Sequence, residues 1–374
     1  MRHLLTPTAV TLEGEGRQMN PSIRSDTDDD RSFQVLWEDG DRIFCRGHRR
    51  SADGDQETVL AVLPATEHPT PATLDRLAHE FGLKNELDVA WAVRPLELVR
   101  DRGRTVLVLE DPGGEPLGRL LGAPLELGCF LRFAIAIAGA LGKVHRGSLV
   151  HKDIKPANIL VNRTTGEVRL TGFGIASRLL RERPAPEPPE TIAGTLAYMA
   201  PEQTGRMNRS IDARADLYAL GVTLYEMLTG SLPFTASDPV EWVHCHVARR
   251  PVSPAERVKD IPTSVAAIIL KLLTKTAEER YQTAAGLEED LRRCLAGWEA
   301  HGRIDDFTLG DHDTPDQLLI PEKLYGRARE VETLLAAFDR VVAGQGLRRQ
   351  RGGPHSREAD PFAGRNADGL HEER

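Results

Sequence analysis

The sequence predicts an α+β protein with two lobes, a smaller one built on strands and a larger one built on helices. Over the first hundred or so residues, short apolar runs are bounded by Gly, Asp and Pro, a pattern typical of β-strands. After Pro116, longer segments place apolar residues at helical spacing. Strands followed by helices favour an α+β arrangement, and 374 residues leave room for two such lobes.

The strand-rich lobe is predicted over residues 32–110. Apolar residues recur at helical spacing within 72–91 and predict one helix there. Asp39-Gly40 lies between two apolar runs and predicts a hairpin turn. The predicted strands are FQVLW at 33–37, DRIFCR at 41–46, TVLAVL at 58–63 and TVLVLE at 105–110.

The helical lobe is predicted over residues 111–300. Its longest apolar run, FAIAIAGALG at 133–142, is well short of the roughly 20 residues needed to cross a bilayer. This run therefore predicts a buried helix, and the sequence predicts no membrane span. The candidate helices are 126–146, 213–229, 237–249, 263–275 and 283–298.

Both ends of the chain differ in composition from the two lobes. Residues 1–31 hold an acidic cluster and few large apolar groups, and 347–374 is rich in Arg, Gly and Glu, so we expect both to be disordered. Residues 301–322 are polar, with Gly, Asp and Pro, and are expected to form a linker. The segment 329–344 is again amphipathic.

Charge and cysteine content narrow the classes of function. A net charge of −8 argues against a nucleic-acid partner, because such partners need a basic face. His244-Cys245-His246 invites a metal site, but residues two apart on a helix point to nearly opposite sides and cannot chelate together. The cysteines are far apart and form no CxxC pair, which indicates reduced thiols in a cytoplasmic protein. They are Cys45, Cys129, Cys245 and Cys294.

The run HKDIKPANIL at 151–160 carries an acid, a base and an amide within six residues. Phosphoryl transfer uses such a set. Asp153 would accept or orient the hydroxyl proton, Lys155 would offset charge on the moving phosphate, and Asn158 would bind a metal ion. The alternative interpretation is a polar loop with an Asx-turn at Asp153.

This run resembles the catalytic loop of protein kinases, and Lys155 indicates the serine/threonine type. GFG at 172–174 stands where that family has DFG. GTLAYMAPEQ at 194–203 resembles the substrate loop, and DARADLYALGVTLYEMLTGSLPF at 212–234 resembles the long central helix. The resemblance covers about residues 33–298 and implies a two-lobed protein kinase-like fold.

The resemblance also implies structural roles for three charged residues. Glu202, in the APE triplet, would form a buried bidentate pair with Arg280 of EERYQTA. Asp216, at the mouth of the central helix, would accept backbone N–H groups. Each of the three could instead be an ordinary surface charge.

The activity that the resemblance implies is phosphoryl transfer from ATP, with Mg²⁺, to serine or threonine. Other signalling proteins would be its substrates or regulatory partners. Backbone groups near Glu110 and Asp111, the hinge by analogy, would bind adenine. Thr191, in the activation segment at 178–193, would accept a phosphate, although an ordinary solvated threonine is the alternative. Thr195 would brace the catalytic loop.

Three parts of kinase chemistry are missing from the sequence. Gly172 replaces the metal-binding acid, and this loss should lower the rate by about a hundredfold to a thousandfold or more. The segment TVLAVLP at 58–64 lacks the strand lysine, which an arginine such as Arg46 could replace. Glu80 takes the position of the helix glutamate, but Lys84 is expected to pair with it locally. No GxGxxG run is available to cover the phosphates.

Three functions therefore stay open. The first is a regulatory, pseudokinase-like domain with weak or lost transfer, which Gly172 and the missing lysine favour. The second is an active serine/threonine kinase with an altered metal site, which the intact catalytic run favours. The third is a nucleotide-free interaction module, which the altered smaller lobe favours.

Residues 322–341, EKLYGRAREVETLLAAFDRV, resemble the lead-in to an ATPase module. Such modules follow kinase-like domains in large bacterial proteins that continue into a sensor domain and a histidine kinase. No GxxxxGK[ST] run follows here. We therefore expect 323–346 to be the truncated start of such a module.

Overall fold

The structure is a computed structural model, and the part of the chain that it describes falls within one compact unit, Met1–Ile320. A second unit, Pro321–Arg374, lies wholly outside the described residues. The described residues are 34–40, 42–50, 56–101, 104–178, 195–207 and 209–314. The predictions that lie outside them concern 1–31, Thr191, 323–346 and 347–374.

The described residues of the smaller lobe form an antiparallel five-stranded sheet with the order β1-β2-β3-β5-β4. The four predicted strands are confirmed, whereas β4 was not predicted from the sequence. β4 begins with proline at the edge of the sheet, where a strand carries only a weak sequence signal. The strands are β1 (Gln34–Asp39), β2 (Arg42–Arg50), β3 (Gln56–Pro64), β4 (Pro95–Asp101) and β5 (Arg104–Glu110).

β1 and β2 form the predicted hairpin. Asp39 pairs with Arg42 across it. Gly40 has a φ of +44°, in the left-handed region that favours glycine. The hairpin prediction is confirmed, and the tip carries two residues of opposite charge.

The predicted helix between the strands is α1 (Pro71–Gly82), and it is shorter than the predicted segment. Thr70 caps it by accepting a hydrogen bond from a first-turn N–H at 3.2 Å. Leu83 and Leu87, which continue the apolar face in the sequence, lie beyond the helix end but are buried. The apolar spacing therefore overstates the length of the helix while locating its buried side.

Helices dominate the described part of the larger lobe. The five predicted helices are confirmed, and their ends agree to within a few residues. A single extra turn, α5, is too short to give a periodic signal. The helices are α2 (Leu127–Arg146), α3 (Ala213–Thr229), α4 (Pro239–Val247), α5 (Pro254–Arg257), α6 (Thr263–Leu272) and α7 (Ala284–His301).

α2 is the buried helix predicted from its apolar run. Among the described residues, it alone is long and apolar enough to cross a membrane, but 67% of its most apolar window is buried inside the protein. Phe130, Ile137 and Leu141 are fully buried, and the helix packs against α3 and α7. This apolar surface is thus used in the core of the larger lobe.

A second, smaller antiparallel sheet follows the hinge and frames the catalytic loop. Its order is β6-β7-β8. A short 3-10 helix (Leu117–Leu120) directly follows β6. The strands are β6 (Glu115–Pro116), β7 (Ile159–Val161) and β8 (Val168–Leu170).

Residues 302–314 pack on the larger lobe as a C-terminal strap, although the sequence predicts a polar linker over 301–322. Phe307 and Leu309 contact the core of the lobe. Asp313 accepts two backbone N–H groups at the start of α7, at 2.6 and 2.9 Å. A few apolar side chains and one carboxylate thus hold a segment whose composition is mostly polar.

Candidate functional site

The predicted catalytic loop, 151–158, is fastened to α3 by Asp216. The buried Asp216 carboxylate accepts the N–H groups of His151 at 2.8 Å and Lys152 at 2.7 Å. His145 Nε2 lies 3.0 Å from the same carboxylate. Burial alone would raise the pKa of Asp216, but its hydrogen bond to His145 and the neighbouring charges outweigh burial and lower this pKa. An ionised Asp216 therefore holds the loop in shape.

Asp216 does not cap its own helix. Asp212 is the cap of α3, since it accepts the N–H of Arg214 at 2.9 Å. The sequence predicts that Asp216, near the start of the helix, accepts hydrogen bonds from backbone N–H groups. In the structure these N–H groups belong to the catalytic loop rather than to the helix. Sequence proximity to the helix start does not reveal this difference.

The structure brings together the three predicted catalytic side chains. Asn158 Nδ2 donates to the Asp153 carbonyl oxygen at 2.8 Å and to Asp153 Oδ2 at 2.9 Å. Lys155 Nζ lies 3.3 Å from the same carboxylate oxygen. Thr195 contacts Lys155 and Asp153. Its hydroxyl accepts a hydrogen bond from Lys155 Nζ at 2.5 Å, and its N–H donates to Asp153 Oδ1 at 3.2 Å. The Asp153 carboxylate is thereby oriented by three neighbours.

Gly172 lies directly against Asn158. Its φ is +82°, and a Cβ added there would lie 2.5 Å from Asn158 Oδ1. The Asn158 amide therefore occupies the space beside position 172. The Gly172 N–H donates to Glu80 Oε1 at 2.9 Å, so a backbone amide is the partner of the α1 glutamate.

The predicted local pair between Glu80 and Lys84 is wrong. Glu80 is 1% exposed and points to Gly172. Lys84 lies beyond the end of α1, and its ammonium lies 4.8 Å from the centre of the Phe81 ring. The spacing rule assumes a continuous helix, and α1 ends before Lys84.

Phe173 packs inside the larger core beside the catalytic loop. Its ring centre lies 4.5 Å from that of His151 and 6.1 Å from that of Trp91. His79 Nε2, on α1, lies 2.7 Å from the carbonyl oxygen of Ala176. The segment after Gly172 thus joins α1 to the loop through buried contacts.

Apolar side chains fill the region between the sheet and β7. Phe44, Leu60 and Leu109 of the sheet belong to one buried cluster with Leu160 of β7. Each of them is at most 2% exposed. β3 contributes Leu60 and Val62 to this cluster and contains neither lysine nor arginine. This cluster therefore joins the sheet of the smaller lobe to β7 through apolar contacts.

The proposed hinge offers few backbone donors. The Glu110 N–H donates to the Arg94 carbonyl oxygen at 3.0 Å, and the Gly113 N–H donates to Asp111 Oδ1 at 2.9 Å. Pro112, between them, has no N–H to offer. Sequence reasoning overlooked this proline, although the missing donor is readable from the sequence.

Arg46 does not replace the missing strand lysine. Its guanidinium forms two hydrogen bonds to the Asp111 carboxylate, at 2.6 and 3.0 Å. A third hydrogen bond goes to the carbonyl oxygen of Gly114 at 2.8 Å. β2 therefore presents Arg46 to the hinge rather than to Glu80.

The hairpin tip reaches the catalytic loop, which the sequence analysis did not foresee. Asp39 Oδ2 lies 2.6 Å from Lys155 Nζ, and Arg42 donates to Asn158 Oδ1 at 3.1 Å. Burial alone would raise the pKa of the Asp39 carboxyl, but Lys155 and Arg42 outweigh burial and hold that pKa below its usual range. The only sequence signal was a pair of opposite charges at a two-residue turn.

The predicted pair between Glu202 and Arg280 is present and buried. Arg280 donates to both carboxylate oxygens, at 2.6 and 2.9 Å. Its other three hydrogen bonds go to the carbonyl oxygens of Thr274, Arg214 and Lys275. The guanidinium fork thus ties the segment after the substrate loop to the rest of the larger lobe.

His246 of the His-Cys-His run is a buried neighbour of aromatic rings. Its Nδ1 lies 3.0 Å from the Tyr218 hydroxyl, and its ring stacks on Trp242. Burial, and then the charge of Lys275, lower the pKa of His246 to about 4. His244 is exposed on the other side of α4. The described residues contain no group of three metal-ligating side chains.

Comparison with known proteins gives one family. The family model described as protein kinase domain matches residues 54–291. Serine/threonine-protein kinase PknB of Mycobacterium leprae (strain TN) is 40% identical over 158 residues, which are 42% of this chain and 25% of that protein.

Two further relatives match a longer stretch. A probable serine/threonine-protein kinase of Corynebacterium efficiens is 36% identical over 194 residues, which are 51% of this chain and 29% of that protein. A probable serine/threonine-protein kinase of Streptomyces coelicolor is 37% identical over 193 residues, which are 51% of this chain and 28% of that protein. The match therefore spans less than a third of the length of these relatives.

Proposed function

Because this chain belongs to the protein kinase family, we propose that it is a serine/threonine kinase-like signalling domain whose ATP-dependent phosphoryl transfer is weak or lost. It would act in the cytoplasm as a regulatory, pseudokinase-like domain on other signalling proteins. A larger multidomain context, with an ATPase-like start at 323–346, remains a prediction.

One observation carries this proposal: Glu80 binds the backbone N–H of Gly172 rather than a cationic side chain. In a working site a cation on β3 and a carboxylate at position 172 would hold the phosphates and the metal ion. β3 carries no cation, and Gly172 has no side chain. A backbone N–H in place of a cation beside Glu80 therefore marks the first loss, and the absence of a side chain at Gly172 is the second.

The residues present do not fit a magnesium-bound ATP. Magnesium is usually held by one or two carboxylates together with phosphate oxygens, and Asn158 Oδ1 here already accepts from Arg42.

Two other functions each have one supporting observation. The oriented Asp153 carboxylate, with Lys155 and Asn158 beside it, favours an active kinase with an altered metal site. The apolar cluster around Leu160 favours an interaction module that binds no nucleotide.

A transfer assay separates the proposal from an active kinase. Labelled phosphate transfer from ATP to a general protein substrate should be no greater for the native protein than for the Asp153→Asn variant. Robust transfer that the variant loses would contradict the proposal. A thermal shift with ATP, with and without Mg²⁺, tests the interaction module, because a ligand that binds only the folded state raises the melting temperature.

A further inference from the structure

Four residues join the smaller lobe to the catalytic loop, and we call them the hairpin latch: Asp39, Arg42, Lys155 and Asn158. Asp39 lies 2.6 Å from Lys155, and Arg42 lies 3.1 Å from Asn158. Arg42 and Asp39 also lie 3.3 Å apart. The latch is therefore a connected network rather than two separate contacts.

The latch is largely shielded from solvent. The side chains of Lys155 and Arg42 are 6% and 13% exposed, and Asn158 is fully buried. Charge-assisted hydrogen bonds of this kind are stronger than those between neutral groups. Removing one charge would leave its partner poorly solvated, which is costly.

Further contacts hold the same hairpin against the larger lobe. A Cβ added at Gly118 would lie 3.0 Å from the Trp37 ring, so the indole packs directly on the 3-10 helix. Arg119 donates to the Leu36 carbonyl oxygen at 3.4 Å. Arg46 binds Asp111 at the hinge. The tip is thus placed by contacts along the whole length of the hairpin.

The signs of the latch charges match those of a metal-bound phosphate. Asp39 presents an anion to the Lys155 ammonium, as a phosphate oxygen would. Arg42 presents a cation to the Asn158 amide oxygen, as a metal ion would. A magnesium-bound polyphosphate would need the same two residues, Lys155 and Asn158. Neither residue can bind the hairpin and the ligand at the same time.

We propose that the hairpin latch is an intramolecular mimic of a metal-bound polyphosphate, which occupies Lys155 and Asn158 and keeps the two lobes closed. This inference rests on the proposed function, since it gives a cause for the weak or lost use of nucleotide. A partner or condition that lifts the hairpin would expose the catalytic loop.

Hydrogen–deuterium exchange tests whether the latch holds the loop. The double variant Asp39→Asn, Arg42→Gln removes both charges and keeps a polar side chain at each position. We expect amide exchange in 151–158 to become at least about tenfold faster, because local opening sets the exchange rate. The matched control is Arg49→Gln, Glu57→Gln, a pair 2.7 Å apart on β2 and β3. It should leave exchange in the loop unchanged.

Equal loop exchange in the latch variant and the control would overturn the proposal. If the double variant fails to fold, the single variant Arg42→Gln is used with Arg49→Gln as its control. Transfer activity plays no part in this measurement. Robust kinase activity would therefore defeat the proposed function alone, and unchanged exchange would defeat the latch alone.

Ligand competition gives a second measurement. Tripolyphosphate with Mg²⁺ is the probe, because it lacks adenine and so tests the phosphate and metal partners alone. The latch variant should bind it at least about fivefold more tightly than the native protein, since a competing closed state lowers apparent affinity. Equal affinity, or binding to neither protein, would overturn the mimicry.

Discussion

Placing an acid at position 172 should destabilise the protein rather than simply repair it. A Cβ at Gly172 would lie 2.5 to 2.8 Å from three atoms of the Asn158 amide. These distances are too short for a real side chain, and the contact involves the whole amide group. Gly172→Asp therefore requires Asn158 to rotate away.

Rotation of Asn158 breaks three hydrogen bonds. One is the bond from Arg42 at 3.1 Å, and two are the bonds to Asp153 at 2.8 and 2.9 Å. At about 1 kcal/mol each, their loss costs about 3 kcal/mol. The φ of +82° adds about 1 kcal/mol for a residue other than glycine. We expect Gly172→Asp to lower the free energy of unfolding by about 4 kcal/mol in total.

Two matched variants isolate the cause of this loss. Gly166 has a similar φ of +73°, and a Cβ there would meet nothing within 4 Å. Gly166→Asp should therefore cost only about 1 kcal/mol. Gly172→Ala carries the clashing Cβ without the charge, and it should cost nearly as much as Gly172→Asp.

Urea unfolding followed by circular dichroism, with linear extrapolation to water, measures all three variants. The reasoning predicts that both changes at Gly172 exceed the change at Gly166 by about 3 kcal/mol. If Gly172→Asp and Gly166→Asp lose equal stability, the amide of Asn158 does not fill the space beside position 172. If Gly172→Ala is mild but Gly172→Asp is severe, charge rather than volume is responsible.

Three further changes test other parts of the fold. Arg280→Lys loses the guanidinium that donates five hydrogen bonds, and it should lower the free energy of unfolding by about 3 kcal/mol or more in the same assay. Its control is Arg292→Lys, at an exposed pair on α7, which should cost less than about 0.5 kcal/mol. Similar losses for the two variants would contradict the structural role of the buried pair. Asp313→Ala removes the acceptor at the start of α7 and should cost about 2 kcal/mol, and a loss within error would mean that the strap provides no cap. The pKa of His246 in the folded protein is about 4, below its usual value. As pH drops, His246 of the unfolded chain therefore takes up a proton before His246 of the folded protein does. The free energy of unfolding should fall as pH drops from about 6.5 towards 4. Thermal unfolding of His246→Gln should show a smaller loss over this range, and an unchanged pH profile would refute this assignment.

Sequence patterns located most of the fold because helices and strands have local periodicities. The buried run of α2 and the alternating strands of the sheet are encoded in neighbouring residues. β4 escaped prediction because it is an edge strand that opens with Pro95. The strap escaped because its polar composition conceals Phe307 and Leu309, whose burial depends on a surface that only the folded lobe provides.

The candidate site was predictable where its residues are contiguous in sequence. Asp153, Lys155 and Asn158 lie within one loop, so their proximity follows from the chain itself. The partner of Glu80 lies 92 residues away, and that of Arg42 lies 116 residues away. Such pairs form only when two lobes meet, and no local rule encodes them.

The contact between Glu80 and position 172 has a consequence for how this chain tolerates mutation. A carboxylate that binds a lysine side chain loses its partner when a mutation replaces that lysine. Every amino acid except proline supplies a backbone N–H. The contact that positions α1 therefore does not depend on the side chain of residue 172, and a substitution there is penalised through the Asn158 amide and the left-handed φ rather than through loss of the Glu80 partner.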